Sequence, residues 1–194
     1  MKAKKDIIRP SVEELERELK RVRYKDAYGK TLRSTVYALI TVAAIAVLVA
    51  TLLLPVLQIY GSSMTPTLED GEIVISLKGS DFGNHDVVAF YYNNKILVKR
   101  VIARAGEWVD IDEEGNVTVN GELLDEPYVQ DKALGECDIE LPYQVPEGRL
   151  FVMGDHRSVS VDSRSSAVGC VAEEQIVGKL VFRIWPLNRI GKIQ

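Results

Sequence analysis

Charge vanishes from the chain between Ser34 and Leu68, a run of 35 residues. Its centre, Thr35 to Leu57, is almost wholly apolar. At about 1.5 Å per residue, a helix of that length crosses a hydrocarbon core of roughly 30 Å. Pro55, near the end of the run, fits a helix terminus. A soluble domain of this size has little room to cover such a helix on every side. The run is also longer than the apolar region of a cleaved secretory leader, and the segment ahead of it is too long for one. The pattern predicts one retained transmembrane helix over residues 34–57.

Ahead of this run the apolar positions follow a helical period. Ser11-Val12-Glu13-Glu14 has the form of a capping box, with Pro10 just before it. Val12, Leu15, Leu19 and Val22 recur at helical spacing, and Glu16 faces Lys20 one turn later. Residues 1–33 therefore read as a basic segment containing a short amphipathic helix.

Beyond residue 60 the period changes to that of strands. Glu72–Leu77, Asp86–Tyr92, Ile96–Ala105, Trp108–Ile111, Val117–Val119, Leu150–Met153 and Ile176–Trp185 are rich in Val, Ile and aromatic residues. Turn signals at Asp70-Gly71, Asn93-Asn94, Glu114-Gly115-Asn116 and Asn120-Gly121 separate several of them. Residues 106–149 are acidic and contain Pro127, Pro142 and Pro146. They read as a small β sub-domain inserted between the two halves, 58–105 and 150–194, of a core. The expected fold is mainly β and antiparallel, preceded by one N-terminal transmembrane helix.

Composition narrows the class. The 194 residues are 46% hydrophobic and 27% charged, which excludes a disordered tail. Two cysteines are too few for a disulfide scaffold or a four-thiolate zinc site, and Cys137 and Cys170 could be structural thiols or one bridge. The charge is uneven: residues 1–33 hold 11 basic and 6 acidic side chains, and the rest of the chain 13 basic and 22 acidic. That asymmetry places the N-terminus in the cytoplasm and the acidic part outside, in a single-pass membrane protein.

Several chemistries drop out. No phosphate-binding Gly-rich loop, HExxH or Ser-x-x-Lys occurs, and no metal or organic cofactor is expected. Asp110-Ile-Asp112 resembles the start of a calcium loop, but Gly121 stands where a bidentate Glu is needed. His85 and His156 each lie beside an aspartate. His85 falls in a turn, and no nucleophile elbow accompanies either one.

Three segments remain. Gly61-Ser62-Ser63-Met64-Thr65-Pro66-Thr67-Leu68 follows the apolar run, Val98-Lys99-Arg100-Val101-Ile102 places a lysine inside an apolar strand, and 154–164 (Gly-Asp-His-Arg-Ser-Val-Ser-Val-Asp-Ser-Arg) packs charges and serines together. In this order after a membrane span, they resemble the bacterial type I signal peptidases. The resemblance covers the span and the outer part, with 106–149 matching only in being there. It implies a Ser-Lys dyad, with Ser63 as nucleophile and Lys99 as general base. Ser160 would hydrogen-bond and orient the amine, while Asp162 and Arg164 would hold the loop that Gly154 and Asp155 open. The partners it implies are exported preproteins cleaved after small residues, bound in extended form along a strand edge, together with the lipid bilayer and the export machinery; nucleic acid is not among them.

Two positions depart from the family pattern. Some members carry a serine two residues before the nucleophile, where this chain has Gly61. The oxyanion hole is then expected to rest on the Ser63 amide and a neighbouring donor, either another backbone amide such as that of Gly61 or a water. His156 stands where Asn is usual, and a histidine adds a group that ordinarily titrates near 6.5.

A lysine suits the base role only if it can shed its charge. At the ordinary lysine pKa of about 10.4, roughly one side chain in 2500 is neutral at pH 7. Val98, Val101 and Ile102 are the expected source of desolvation. Arg100 points to the opposite face of the strand and should stay solvated or paired. Two rival readings are a self-cleaving repressor with a similar dyad and a catalytically inactive β-rich envelope adaptor. The span without a DNA-binding domain argues against the first, and the joint presence of Ser63, Lys99, Ser160 and Asp162 against the second.

Overall fold

The structure, a computed structural model, describes residues 10–79 and 81–193. Lys2, Lys4, Lys5 and Arg9 of the basic flank lie outside the described residues. The chain divides into two units, one ending at Val49 and the other running from Ala50.

A single helix, α1 (Val12–Leu53), opens the described chain. Its start is the expected capping box. The Glu14 amide donates to Ser11 Oγ at 3.2 Å, and the Ser11 amide to Glu14 Oε2 at 2.9 Å. The amphipathic segment and the apolar run are thus one continuous helix, where the sequence pattern predicted two. None of its residues is buried. An apolar helix exposed all round in water would be costly, so its charge-free part from Ser34 onward suits lipid. An N-terminal apolar helix of this kind fits a membrane anchor.

The helix also ends earlier than expected, at Leu53 and not at residue 57. Pro55 has no amide to donate and disfavours helical geometry at Leu54. The chain turns at once into a short strand, β1 (Val56–Gln58), and the Pro55 carbonyl accepts from the Ser76 amide at 2.9 Å.

The remainder is antiparallel β, as the strand periods predicted. An eight-stranded sheet contains β1, β2 (Ile73–Leu77), β3 (Val87–Tyr92), β4 (Lys95–Arg104), β9 (Arg149–Met153), β10 (Val171–Ala172), β11 (Ile176–Trp185) and β12 (Gly191–Lys192). Its order is β1-β2-β11-β3-β4-β9-β10, with β12 pairing on β11. Between β4 and β9 in sequence, β5 (Trp108–Ile111), β6 (Val117–Val119), β7 (Glu122–Leu123) and β8 (Tyr143–Gln144) form a second sheet in the order β7-β6-β5-β8. Short 3-10 turns cover Glu173–Gln175 and Leu187–Arg189.

The inward faces make three apolar clusters. Val109, Ile111, Val117 and Val119 of the smaller sheet pack with Ile102, Ala103, Phe151 and Met153 of the larger one. Ile59, Met64, Leu68, Val74 and Leu180 pack together beneath the 61–68 turn, with Val98 against them. Val88, Phe90, Val101, Leu150 and Val152 form the third. Each such side chain, taken fully out of water, contributes about 1.5–3 kcal/mol. These clusters fix the two elements that matter most for chemistry, the turn after β1 and the strand β4.

Candidate active site

Met64 and Leu68 are buried in the cluster under the turn, and this pins the intervening chain. The Leu68 amide donates to the Met64 carbonyl at 2.8 Å and the Thr65 amide to that of Ser62 at 3.1 Å. Ser63 is thereby presented half-buried at the turn's edge. Opposite it, Lys99 sits in β4, paired through Val88 with β3.

Lys99 Nζ lies 2.7 Å from Ser63 Oγ, and the lysine is 4% exposed. Desolvation by burial lowers its pKa from 10.5 to about 8. That net value includes the Arg164 charge, which acts with burial, and Asp162 and Asp155, which oppose it. The expected desolvators need one revision: Val98 packs in the cluster under the nucleophile turn, but Val101 and Ile102 belong to the other two.

The loop 154–166 closes over this pair. The His156 amide donates to the Ser63 carbonyl at 3.1 Å, and its Nδ1 lies 3.0 Å from Thr65 Oγ1. Gly154 is required by close approach, since a Cβ there would fall 2.3 Å from Ser160 Oγ and 2.5 Å from the Ser63 carbonyl oxygen. The Gly154 amide donates to Asp162 Oδ2 at 2.9 Å. Arg164 grips the same carboxylate through Nε and Nη2, each at 2.8 Å, and donates to the carbonyls of Leu134 and Arg157. Both residues are fully buried, and a paired, fork-to-fork geometry is what makes such burial tolerable.

Ser160 is also buried, but the structure does not join it to Lys99: among the described residues its hydroxyl has no hydrogen-bond partner. Gly61 does not supply a free oxyanion donor either. Its amide is already donated to Asp70 Oδ1 at 2.7 Å. The Ser63 amide, by contrast, donates to no protein group among the described residues.

Sequence reasoning placed Asp155 at the opening of the loop but missed its partners, and left Tyr128, Glu126 and Arg157 unassigned. Asp155 accepts two bonds from Arg100, at 2.8 and 2.7 Å, and one from Thr67 Oγ1 at 2.5 Å. Arg100 is therefore paired and buried, not solvated, and its guanidinium lies 3.8 Å over the Tyr128 ring. Burial and the nearby Glu126 carboxylate push the Tyr128 hydroxyl well above the usual phenol range. Arg157 forms a bidentate, fully buried pair with Glu126. The signal in the sequence was the density of charge in 154–164; the partners, far away in the chain, carried none. Cys137 and Cys170 are both free thiols, and burial pushes that of Cys170 up to about 11. His85 is exposed in a left-handed turn, away from the dyad's hydrogen bonds.

Beside Ser63 runs a groove of about 660 Å³, between Leu57–Gly61 on one side and Asn94–Lys99 on the other. Residues Lys95–Lys99 pair with β3 only, because β9 ends at Met153, opposite Arg100. Strand β1 pairs with β2 only. Two strands with unpaired edges and one buried amine–hydroxyl pair thus meet in one place.

A family model described as "Signal peptidase, peptidase S26" matches residues 32–185. Signal peptidase IB of Staphylococcus aureus strain N315 is 39% identical over 150 residues, covering 67% of this chain and 77% of its own. The chloroplastic thylakoidal processing peptidase 1 of Arabidopsis thaliana is 32% identical over 171 residues, covering 79% of this chain and 48% of its own. A crystal structure of a signal peptidase I from Enterococcus faecalis aligns with 52% of this chain and 97% of that one, at 30% identity and a TM-score of 0.43.

Proposed function

This chain belongs to the signal peptidase family, peptidase S26, and from that premise we propose that it is a membrane-anchored serine endopeptidase that removes signal peptides from exported preproteins after small residues, at Ala-x-Ala-like sites. Ser63 is the nucleophile and neutral Lys99 the general base. The observation that carries this reading is the 2.7 Å approach of a buried lysine amine to a serine hydroxyl.

A serine hydroxyl attacks poorly until a base takes its proton. With a pKa of about 8, about a tenth of Lys99 is neutral at pH 7. The neutral nitrogen accepts the Ser63 proton as Oγ bonds to the scissile carbonyl carbon. The resulting ammonium gives that proton to the leaving amine, whose bond to the carbonyl carbon breaks. Water then attacks the acyl-serine with Lys99 again as base, releasing the acid and restoring the hydroxyl. The unengaged Ser63 amide supports the oxyanion role given to it, whereas that of Gly61 is spent on Asp70. Asp162 and Arg164 act as loop anchors. Ser160, buried with its hydroxyl unengaged, is left to turn toward the neutral amine once that has lost a proton.

The unpaired edges of β1 and β4 fit an extended peptide laid between them. Ser63 follows the last helical residue, Leu53, by only ten positions. That favours a substrate emerging from the membrane, with the helix as anchor, the N-terminus in the cytoplasm and residues 58–194 outside. Residues 106–149 would act as an inserted sub-domain without reacting groups. The test is preprotein cleavage by the full chain in detergent. Wild-type protein should release the signal peptide and Ser63→Ala should not; cleavage unchanged in the alanine variant would end this reading.

A further inference from the structure

Two arginines late in the chain reach the back of the turn that carries Ser63. Arg183 of β11 donates through Nη2 to the Thr67 carbonyl. Arg189, in the turn after β11, donates through Nη2 to the Pro66 carbonyl at 3.3 Å. A buried carboxylate joins them: Glu72 Oε2 lies 2.8 Å from Arg183 Nε, and Glu72 Oε1 lies 2.9 Å from Arg189 Nη1. Glu69 completes the cluster, 2.6 Å from Arg189 Nη1. The dyad chemistry uses none of these four residues, and Arg189 lies beyond the segment matched by the family model.

The geometry has a mechanical consequence. Pro66 has no amide, so its carbonyl is its only backbone hydrogen-bonding group. Thr67 is held at both ends, its hydroxyl donating to Asp155 and accepting from Arg100 at 3.2 Å and its carbonyl accepting from Arg183. The turn is therefore gripped from the 154–166 loop on one side and from the C-terminal arginines on the other. A guanidinium holds carboxylates and a carbonyl in the fixed directions of a rigid fork, whereas a lysine ammonium has three rotatable donors on a single nitrogen and fixes no such geometry.

We propose that Arg189, together with Arg183, is a positioning residue for the nucleophile: by tying the Pro66 and Thr67 carbonyls to Glu72 it sets the distance between Ser63 Oγ and Lys99 Nζ. This inference rests on Ser63 being the nucleophile.

The test uses the full chain in detergent with a signal-peptide-bearing substrate. Arg189 is partly exposed, so Arg189→Ala should still fold. Its kcat should fall about tenfold with KM within about twofold, the mark of lost alignment and not of lost binding. Arg189→Lys should recover most of the melting temperature by keeping the charge beside Glu72 and Glu69, yet leave kcat low. Val117→Ala, in the smaller sheet, supplies a control that lowers the melting temperature without touching the turn, and its kcat should match wild type. A folded Arg189→Ala protein with kcat within twofold of wild type overturns the proposal. So does recovery of kcat and melting temperature together in Arg189→Lys, or an equal kcat loss in Val117→Ala. Should Arg189→Ala not fold, Arg189→Lys decides alone. Ser63→Ala is run in parallel: activity retained there removes the nucleophile assignment, whatever the Arg189 variants do.

Discussion

Lys99 Nζ and Ser63 Oγ are 2.7 Å apart, and the amine is held almost entirely out of water. Its pKa falls from 10.5 to about 8, with burial the largest cause, so with Lys99 as the proposed base its protonation should set the acid limb of activity. Below that value kcat/KM should fall by about tenfold per pH unit, and above it the rate should level off. A pH series on a signal-peptide substrate reads this directly. A rate independent of pH between 6 and 9 would contradict a lysine base.

Substitution at Lys99 separates chemistry from charge. Arginine cannot deprotonate in a protein, so Lys99→Arg should be as inactive as Lys99→Ala, with rates down by about 10² or more. Substantial cleavage by the arginine variant would remove Lys99 from the base role.

The same burial costs stability. A lysine whose folded pKa is lowered binds fewer protons folded than unfolded between pH 8 and 10.5. Stability contributed at this site therefore rises with pH across that window and is lowest below it. The shift corresponds to about 3 kcal/mol. Lys99→Met should be more stable than wild type at pH 7, by up to that amount, and the gap should close as pH approaches 10.5. Denaturant midpoints of both proteins at pH 7 and pH 10 check the sign.

Much of this architecture can be read from local pattern. The strands Trp108–Ile111, Val117–Val119 and Ile176–Trp185 have the bounds that their Val, Ile and aromatic content predicts, and the first two bury alternate residues. The strands β7, β8, β10 and β12 span only two residues each, too short for any period to register. Lys99 is unusual in lying within an apolar strand, but Ser63 and its pairing with Lys99 are legible only through the resemblance that the three segments carry together. The engaged amide of Gly61 and the partners of Arg100 and Arg157 are long-range matters. Asp70 and Glu126 are ordinary acidic residues in the sequence, and Asp155, though placed in the 154–164 loop, shows no sign there of its partner Arg100; only the tertiary fold brings them to their sites.

Gly154 shows how close the site is packed. With a Cβ 2.3 Å from Ser160 Oγ and 2.5 Å from the Ser63 carbonyl oxygen, Gly154→Ala must displace backbone of the nucleophile turn. Overpacking of this kind costs about 1–3 kcal/mol. Because the displaced atoms belong to Ser63 itself, cleavage should drop by about 10² while the protein still folds. Circular dichroism and the cleavage assay together check this. An alanine variant as active as wild type would mean the loop can yield without moving the serine.

The Glu126–Arg157 pair gives the inserted segment a measurable part in the site. Both side chains are fully buried, and Arg157 also donates through Nε to the Gly154 carbonyl at 3.1 Å, beside the serine loop. Deleting one partner leaves an uncompensated buried charge, a loss of about 3–5 kcal/mol, whereas replacing both with apolar groups of similar volume is often close to neutral. Glu126→Ala should therefore destabilise strongly. Glu126→Leu combined with Arg157→Met should recover most of that stability but free the Gly154 carbonyl, leaving a stable protein with reduced kcat. Urea unfolding and steady-state kinetics on the single and double variants separate the two effects. If the double variant regains full activity along with stability, the pair acts only through folding, and the segment from 106 to 149 has no hand in placing the loop.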